Sequence, residues 1–249
     1  SETFATLTSN VLTETEILSG QVLTLTGGSS TANGLITGAG GLTRTVGGGT
    51  AGTLTASAKN TYTGATTIGA TGTATTSAGM TVYHLANGGE ASGIGMSSNA
   101  ANNLVFVSNT AGNQGGILTW AGLTDQSTDR LFTMGLGSLA ARVNGSGTVV
   151  GTNTPTLTFS NTAAIAFAGS GARTLTLGGG TLGDNMFRPQ ITDGGGATTL
   201  SKVEGGIWVI NPDVAGNTYT GGTSITGGTL AILAGNALDG ALEQAGLVL

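Results

Sequence analysis

The sequence predicts an all-β protein whose short strands stack in one dimension, as a right-handed parallel β-solenoid (β-helix). Two observations carry this. Blocks of sequence recur in the same order at nearly constant spacing. Between them run apolar residues at strand spacing, cut every few residues by glycine. A β-sandwich or jelly roll is the other fold these runs allow.

The recurrence is read from three blocks. Asn60-Thr61-Tyr62-Thr63-Gly64-Ala65-Thr66-Thr67-Ile68 returns as Asn217-Thr218-Tyr219-Thr220-Gly221-Gly222-Thr223-Ser224-Ile225. Upstream, Leu42-Thr43-Arg44 returns as Leu200-Ser201-Lys202, each followed by a glycine pair. Further upstream, Leu23-Thr24-Leu25 returns as Leu175-Thr176-Leu177. An internal duplication with small insertions explains all three.

Composition agrees. Of 249 residues, 47 are Gly and 45 are Thr, while Pro is 3 and charged residues are 8%. Threonine's branched Cβ suits a pleated surface, and glycine supplies tight corners. A hydrophobic share of 38% separates the chain from a disordered linker. Glycine without a period of three, and scarce proline, exclude collagen.

Taken in order, residues 1–20 form an N-terminal cap or assembly segment. Glu14 and Glu16 alternate there, so both carboxylates lie on one strand face, read as a solvated end. Residues 21–79 are the first repeat block, 80–150 a degenerate stretch with longer loops, and 151–249 the second block. A separate inserted domain is the alternative for 80–150. The expected core comprises Leu25, Leu42, Leu54, Ile68, Leu157, Phe159, Ile165, Phe167, Leu175, Leu177, Leu200, Ile225, Leu230 and Ile232. Thr-rich faces, Thr223 among them, are expected to point outward. Gly235–Leu249 offers the best helical pattern and reads alternatively as a terminal strand. At ~20 residues per turn and ~4.8 Å per layer, the body is expected to be a rod on the order of 50–60 Å long.

The pattern Leu-Thr-Arg/Lys, then glycine-rich, then Asn-Thr-Tyr-Thr-Gly, ending at Gly228-Thr229-Leu230, resembles the autotransporter-associated β-strand repeat. The resemblance is close over about 172–233, looser over about 23–73 and weak over 80–150. It implies a parallel β-solenoid in the passenger region of a bacterial surface protein, exported to the cell surface or beyond. It does not imply an enzyme. Within the motif, Asn60, Tyr62, Gly64, Ile68, Asn217, Tyr219, Gly221, Ile225 and Leu230 are expected to be structural. One tyrosine per repeat at a fixed place reads as a packing or corner residue, with sugar stacking as the alternative. Arg44 and Lys202 share a place in both copies and hence a structural role.

Net charge is −5, and the seven basic residues are scattered, which excludes a phosphate-tracking nucleic-acid surface. No run of 18 apolar residues marks a transmembrane helix, and the aromatic girdles of a membrane β-barrel are missing. Gly47–Gly49–Gly52 and Gly178–Gly180–Gly183 match a dinucleotide fingerprint in form, without the helix the chemistry needs. His84 stands alone, with no Gly-x-Ser-x-Gly elbow beside it. No metal or cofactor is expected. A polysaccharide-active β-helix enzyme, with Asp184, Arg188, Asp193, Lys202 and Asp213 as the available charges, is the weakest reading.

The function expected is therefore structural: an extracellular module that self-assembles into a fibre or surface layer. An adhesin that binds glycans or other surface proteins is the alternative. Neither end is adequately capped by polar residues, so a head-to-tail homopolymer is expected through Phe4 and Leu7 at one end and Leu247, Val248 and Leu249 at the other.

Overall fold

A computed structural model describes residues 1–48, 51–109, 111–212, 216–233 and the backbone of 242–244. Among these the chain is all-β. Its one helical element is a single 3-10 turn, Ala101–Asn103.

Successive strands join different sheets in rotation. The first sheet stacks seven strands: Glu2–Phe4, Val22–Leu25, Gly41–Val46, Thr66–Ala70, Leu104–Val107, Thr133–Met134 and Ala166–Phe167. The second stacks ten: Thr8–Ser9, Ser30–Ala32, Gly52–Ala56, Ala78–Val82, Gly116–Trp120, Gly137–Gly145, Arg173–Gly178, Thr198–Lys202, Thr223–Ile225 and Leu242–Gln244. The remaining strands form a pair, Glu14–Ile17 with Leu35–Gly38, and a five-stranded sheet of Gln126–Thr128, Leu157–Phe159, Asp184–Phe187, Ile207–Ile210 and Thr229–Ile232. Every pairing between these strands is parallel. This all-parallel arrangement is compatible with a β-solenoid. At about 4.8 Å per strand the second sheet extends over roughly 45 Å.

Parallel register places like residues above one another. In the second sheet Leu54, Met80, Leu118, Val143 and Leu177 form one inward column, and all five are buried. A second column, Phe159–Phe187–Ile210, lies in the five-stranded sheet. Phe106, Phe132, Phe159, Phe187 and Trp208 continue a chain of ring contacts with centroids 5.4–6.5 Å apart. Of the expected core, all are buried except Phe167 and Ile232, which are half-buried against it.

Thr223 lies inside, not outside as the sequence suggested. The two-residue period of its strand puts it on the side of Ile225, and only 2% of it is exposed. Thr66 is buried on the side of Ile68 for the same reason. Leu242–Gln244 is extended and pairs with Thr223–Ile225, so that part of the helical candidate is strand. Gly183 leads directly into the strand Asp184–Phe187, so the second fingerprint-like glycine run opens no helix. Glu14 and Glu16 both face solvent, beside inward Ile17.

Residue spacing between layers is uneven. Leu23 pairs with Leu42, but Thr66 pairs with Leu104. The extra residues lie in 83–99, where the chain leaves the ladder.

Candidate functional site: a cleft at the break in the third face

The repeat motif builds corners. Asn60 is fully buried; its carboxamide oxygen accepts the Ile36 N–H at 2.9 Å and its amide donates to Gly93 O. Asn217 does the same for Ile191 N–H at 2.8 Å. Each asparagine satisfies a backbone donor of the preceding pass, which burial would otherwise leave costly. Tyr62 and Tyr219 are fully buried, with their hydroxyls 2.7 and 2.6 Å from the hydroxyls of Thr66 and Thr223. Neither ring is available to a sugar. Gly64 and Gly221 lie where a Cβ would come within 2.4 Å of Gly40 O and 2.5 Å of Thr198 O. Ile68, Ile225 and Leu230 are core residues.

Arg44 and Lys202 sit in inward columns, Arg44 between Leu25 and Ile68, Lys202 between Leu177 and Ile225. Both are buried. The Arg44 guanidinium donates to Leu25 O, Gly27 O and Gly28 O. Lys202 Nζ donates to Val203 O, Glu204 O and Gly227 O at 2.7–3.0 Å. These cations thus satisfy carbonyls at strand ends and in the corners that follow them. Burial pushes the Lys202 ammonium down to about 8, against a smaller opposing pull from Glu204. Arg173 caps five carbonyls in the same manner, from Met134 to Gly194. Asp193 accepts the N–H groups of Thr198 and Thr220 and the Thr220 hydroxyl. Arg142 pairs with Glu204. The charges considered as enzymatic candidates are therefore corner fasteners at Lys202 and Asp193, and Asp213 lies outside the described residues. Asp184 is exposed and Arg188 half-buried.

The third side, where the separate two-stranded and five-stranded sheets lie, is different. No strand joins these two sheets into one ladder: residues 60–64 bond to the strand Leu35–Gly38, and residues 83–99 follow them. Asn60 and Ser92 exchange backbone hydrogen bonds there. Arg130, buried, gathers the loop by donating to Ala86 O, Glu90 O, Gly95 O and Ser97 Oγ. Gln126 pins the entry: its carboxamide oxygen accepts from Leu85 N–H at 2.7 Å and Trp120 Nε1–H at 2.8 Å, while its amide donates to Tyr83 O.

Beside this break lies a cleft of about 600 Å³, lined among others by Lys59, Tyr83, His84, Leu123 and Thr124. These residues follow the ends of three successive strands of the second sheet, at Ala56, Val82 and Trp120, which are in register. Lys59 is the one exposed basic residue of the seven. Tyr83 is the one tyrosine that is not buried. Burial, then the charge of Lys59, holds His84 below its ordinary value, so the imidazole is neutral at neutral pH.

The sequence offers His84 only as a lone strand or loop residue and Lys59 as one scattered charge. Only the register of unequal passes brings them together. The assembly residues of the sequence reading are not gathered in one described place. Phe4 is 47% exposed, Leu7 is half-buried against the core, and Leu247, Val248 and Leu249 lie outside the described residues.

No protein-family model matches the chain, and no solved structure matches it. Over 155 residues, 61% of the chain, it is 41% identical to the protein named Adhesin BmaC autotransporter of Brucella suis biovar 1 (strain 1330). The chain spans 4% of the length of that relative.

Proposed function

We propose that this chain is a segment of an adhesin-type passenger at a bacterial cell surface, a parallel β-solenoid body that binds rather than catalyses. The similarity over 155 residues to an autotransporter adhesin is the observation that carries this. The all-parallel stack supports it, because a body whose layers contact only their neighbours extends by repetition and keeps side chains in register along an outer face. Four buried cations, Arg44, Arg130, Arg173 and Lys202, fasten corners along the stack. The test is adherence. Beads coated with the purified chain are expected to attach to cultured epithelial cells above albumin-coated beads; equal attachment contradicts the proposal.

Self-association is the second reading, favoured by the exposed apolar side chains of Val11, Leu12 and Leu18 on either side of the strand Glu14–Ile17, with Leu12 93% exposed. Exposed apolar side chains grouped in one place mark association surfaces. Light scattering of the intact chain against a Leu12→Ser, Leu18→Ser variant decides it: concentration-dependent mass that the variant abolishes supports self-association, and a stable monomer contradicts it.

A further inference from the structure

We propose that the cleft at the break in the third face binds a carboxylated saccharide, with Lys59 meeting the carboxylate and Tyr83 and Leu123 the sugar's apolar side. This rests on the adhesin reading and names the ligand class for it. Four observations converge here.

Size comes first. About 600 Å³ lies within the range of small-ligand pockets, roughly 300–1,000 Å³, and accommodates one or two sugar rings.

Charge is the second. The chain carries −5 overall, and six of its seven cations are committed elsewhere or at least half-buried. Arg44, Arg130, Arg173 and Lys202 are spent on carbonyls inside, Arg142 is paired with Glu204, and Arg188 is half-buried. Lys59 has no acidic partner within 4 Å among the described residues and stands at the cleft wall. An exposed ammonium against an acidic surface selects a ligand with a discrete anionic group over a uniformly anionic polymer, which the rest of the chain repels.

Third is the mixture of surfaces. Leu123, 54% exposed, and the Tyr83 ring offer apolar area. Thr124 and neutral His84 offer groups that both donate and accept hydrogen bonds. A pyranose has this same duality, a C–H face and a hydroxyl rim.

Rigidity is the fourth. The backbone of the wall is fixed at Tyr83 O and Leu85 N–H by Gln126, at His84 O by Gly93 N–H at 2.7 Å, and at Ala86 O by the Thr128 hydroxyl at 2.8 Å. A pre-formed wall lowers the ordering cost of binding.

The test titrates the purified chain with sialyllactose, a hexuronic-acid disaccharide and lactose, following the His84 imidazole resonances and heat. The expected result is saturable binding of at least one acidic sugar, about 10-fold or more tighter than lactose. Lys59→Met should weaken it by about 10-fold or more, as loss of a charge-assisted contact does. Lys59 is exposed, so this variant folds; Thr53→Met, on the neighbouring outer face, should leave affinity unchanged. Equal affinity for lactose, no binding of any of the three, or an undiminished Lys59→Met each overturns the proposal. Bead adherence is measured in parallel with the acidic sugars as competitors. Adherence that persists without competition rejects the saccharide and leaves the adhesin reading standing; absence of adherence rejects the adhesin reading itself.

Discussion

At the scale of single residues, the two copies of the motif use polar side chains inside the body. The paired hydroxyls of Tyr219 and Thr223, 2.6 Å apart, are the clearest case. Removing one leaves the other buried with a lost partner, which costs more than removing both. Tyr219→Phe is therefore expected to destabilise by about 1–3 kcal/mol, and Tyr219→Phe with Thr223→Val to recover part of that loss in urea unfolding. Additive losses would mean that the pair is not coupled. The Lys202 ammonium gives a pH signature. Its folded value near 8 lies below its ordinary 10.5. Between those values the unfolded chain binds more protons, so stability contributed at this position rises as pH climbs from 8 to 10.5 and is lost as pH falls through 8. Wild type measured against Lys202→Met should show that rise; a falling difference would mean that the three carbonyls hold the ammonium charged. On the acid side, burial alone would raise Asp193, but hydrogen bonds from the Thr220 hydroxyl and from the Thr198 and Thr220 N–H groups outweigh it and hold the carboxyl low. Its contribution is present above its ordinary 3.8 and is lost as pH falls below that.

At the scale of elements, corners decide what substitutions are tolerated. Gly64 packs against Gly40 O, where a Cβ would come within 2.4 Å, and neither backbone can withdraw without breaking the ladder. Gly48 has nothing within 4 Å of the same added atom. Gly64→Ala is expected to destabilise by about 1–3 kcal/mol, as overpacking does, and Gly48→Ala to be neutral within about 0.5 kcal/mol. Equal melting temperatures for the two variants would contradict the corner geometry. Much of this level was legible in the sequence. Alternation placed Ile68, Leu175, Ile225 and Leu230 inside, because strands of three to six residues give a clean two-residue period. Thr223 was misplaced because its residue type, and not its distance from Ile225, was read. The shared place of Arg44 and Lys202 was legible as a structural role. Their position inside a core column was not, since lone buried cations are uncommon and the carbonyls they satisfy belong to other passes. The cleft was hidden for a related reason. Lys59, His84 and Leu123 are neighbours only through the register of Ala56, Val82 and Trp120, and the passes between them differ in length.

At the scale of the whole molecule, both the duplicated corners and the cleft depend on one property: strands of the second sheet stack in chain order, parallel, as one ladder. Thr53, Gly79, Ile117, Arg142, Thr176, Ser201 and Ser224 form a single column of that ladder. A sandwich built from the same strands would fold the column onto itself, with sheets about 10 Å apart. The chain has no cysteine, so pairs introduced at chosen places carry spin labels at those places alone. The most direct measurement is the distance between labels at Thr53 and Ser201, and at Thr53 and Ser224, by double electron–electron resonance. The stack predicts about 24 Å for the first and about 29 Å for the second, one strand spacing more. Two distances that are equal, or that collapse toward 10 Å, would contradict it.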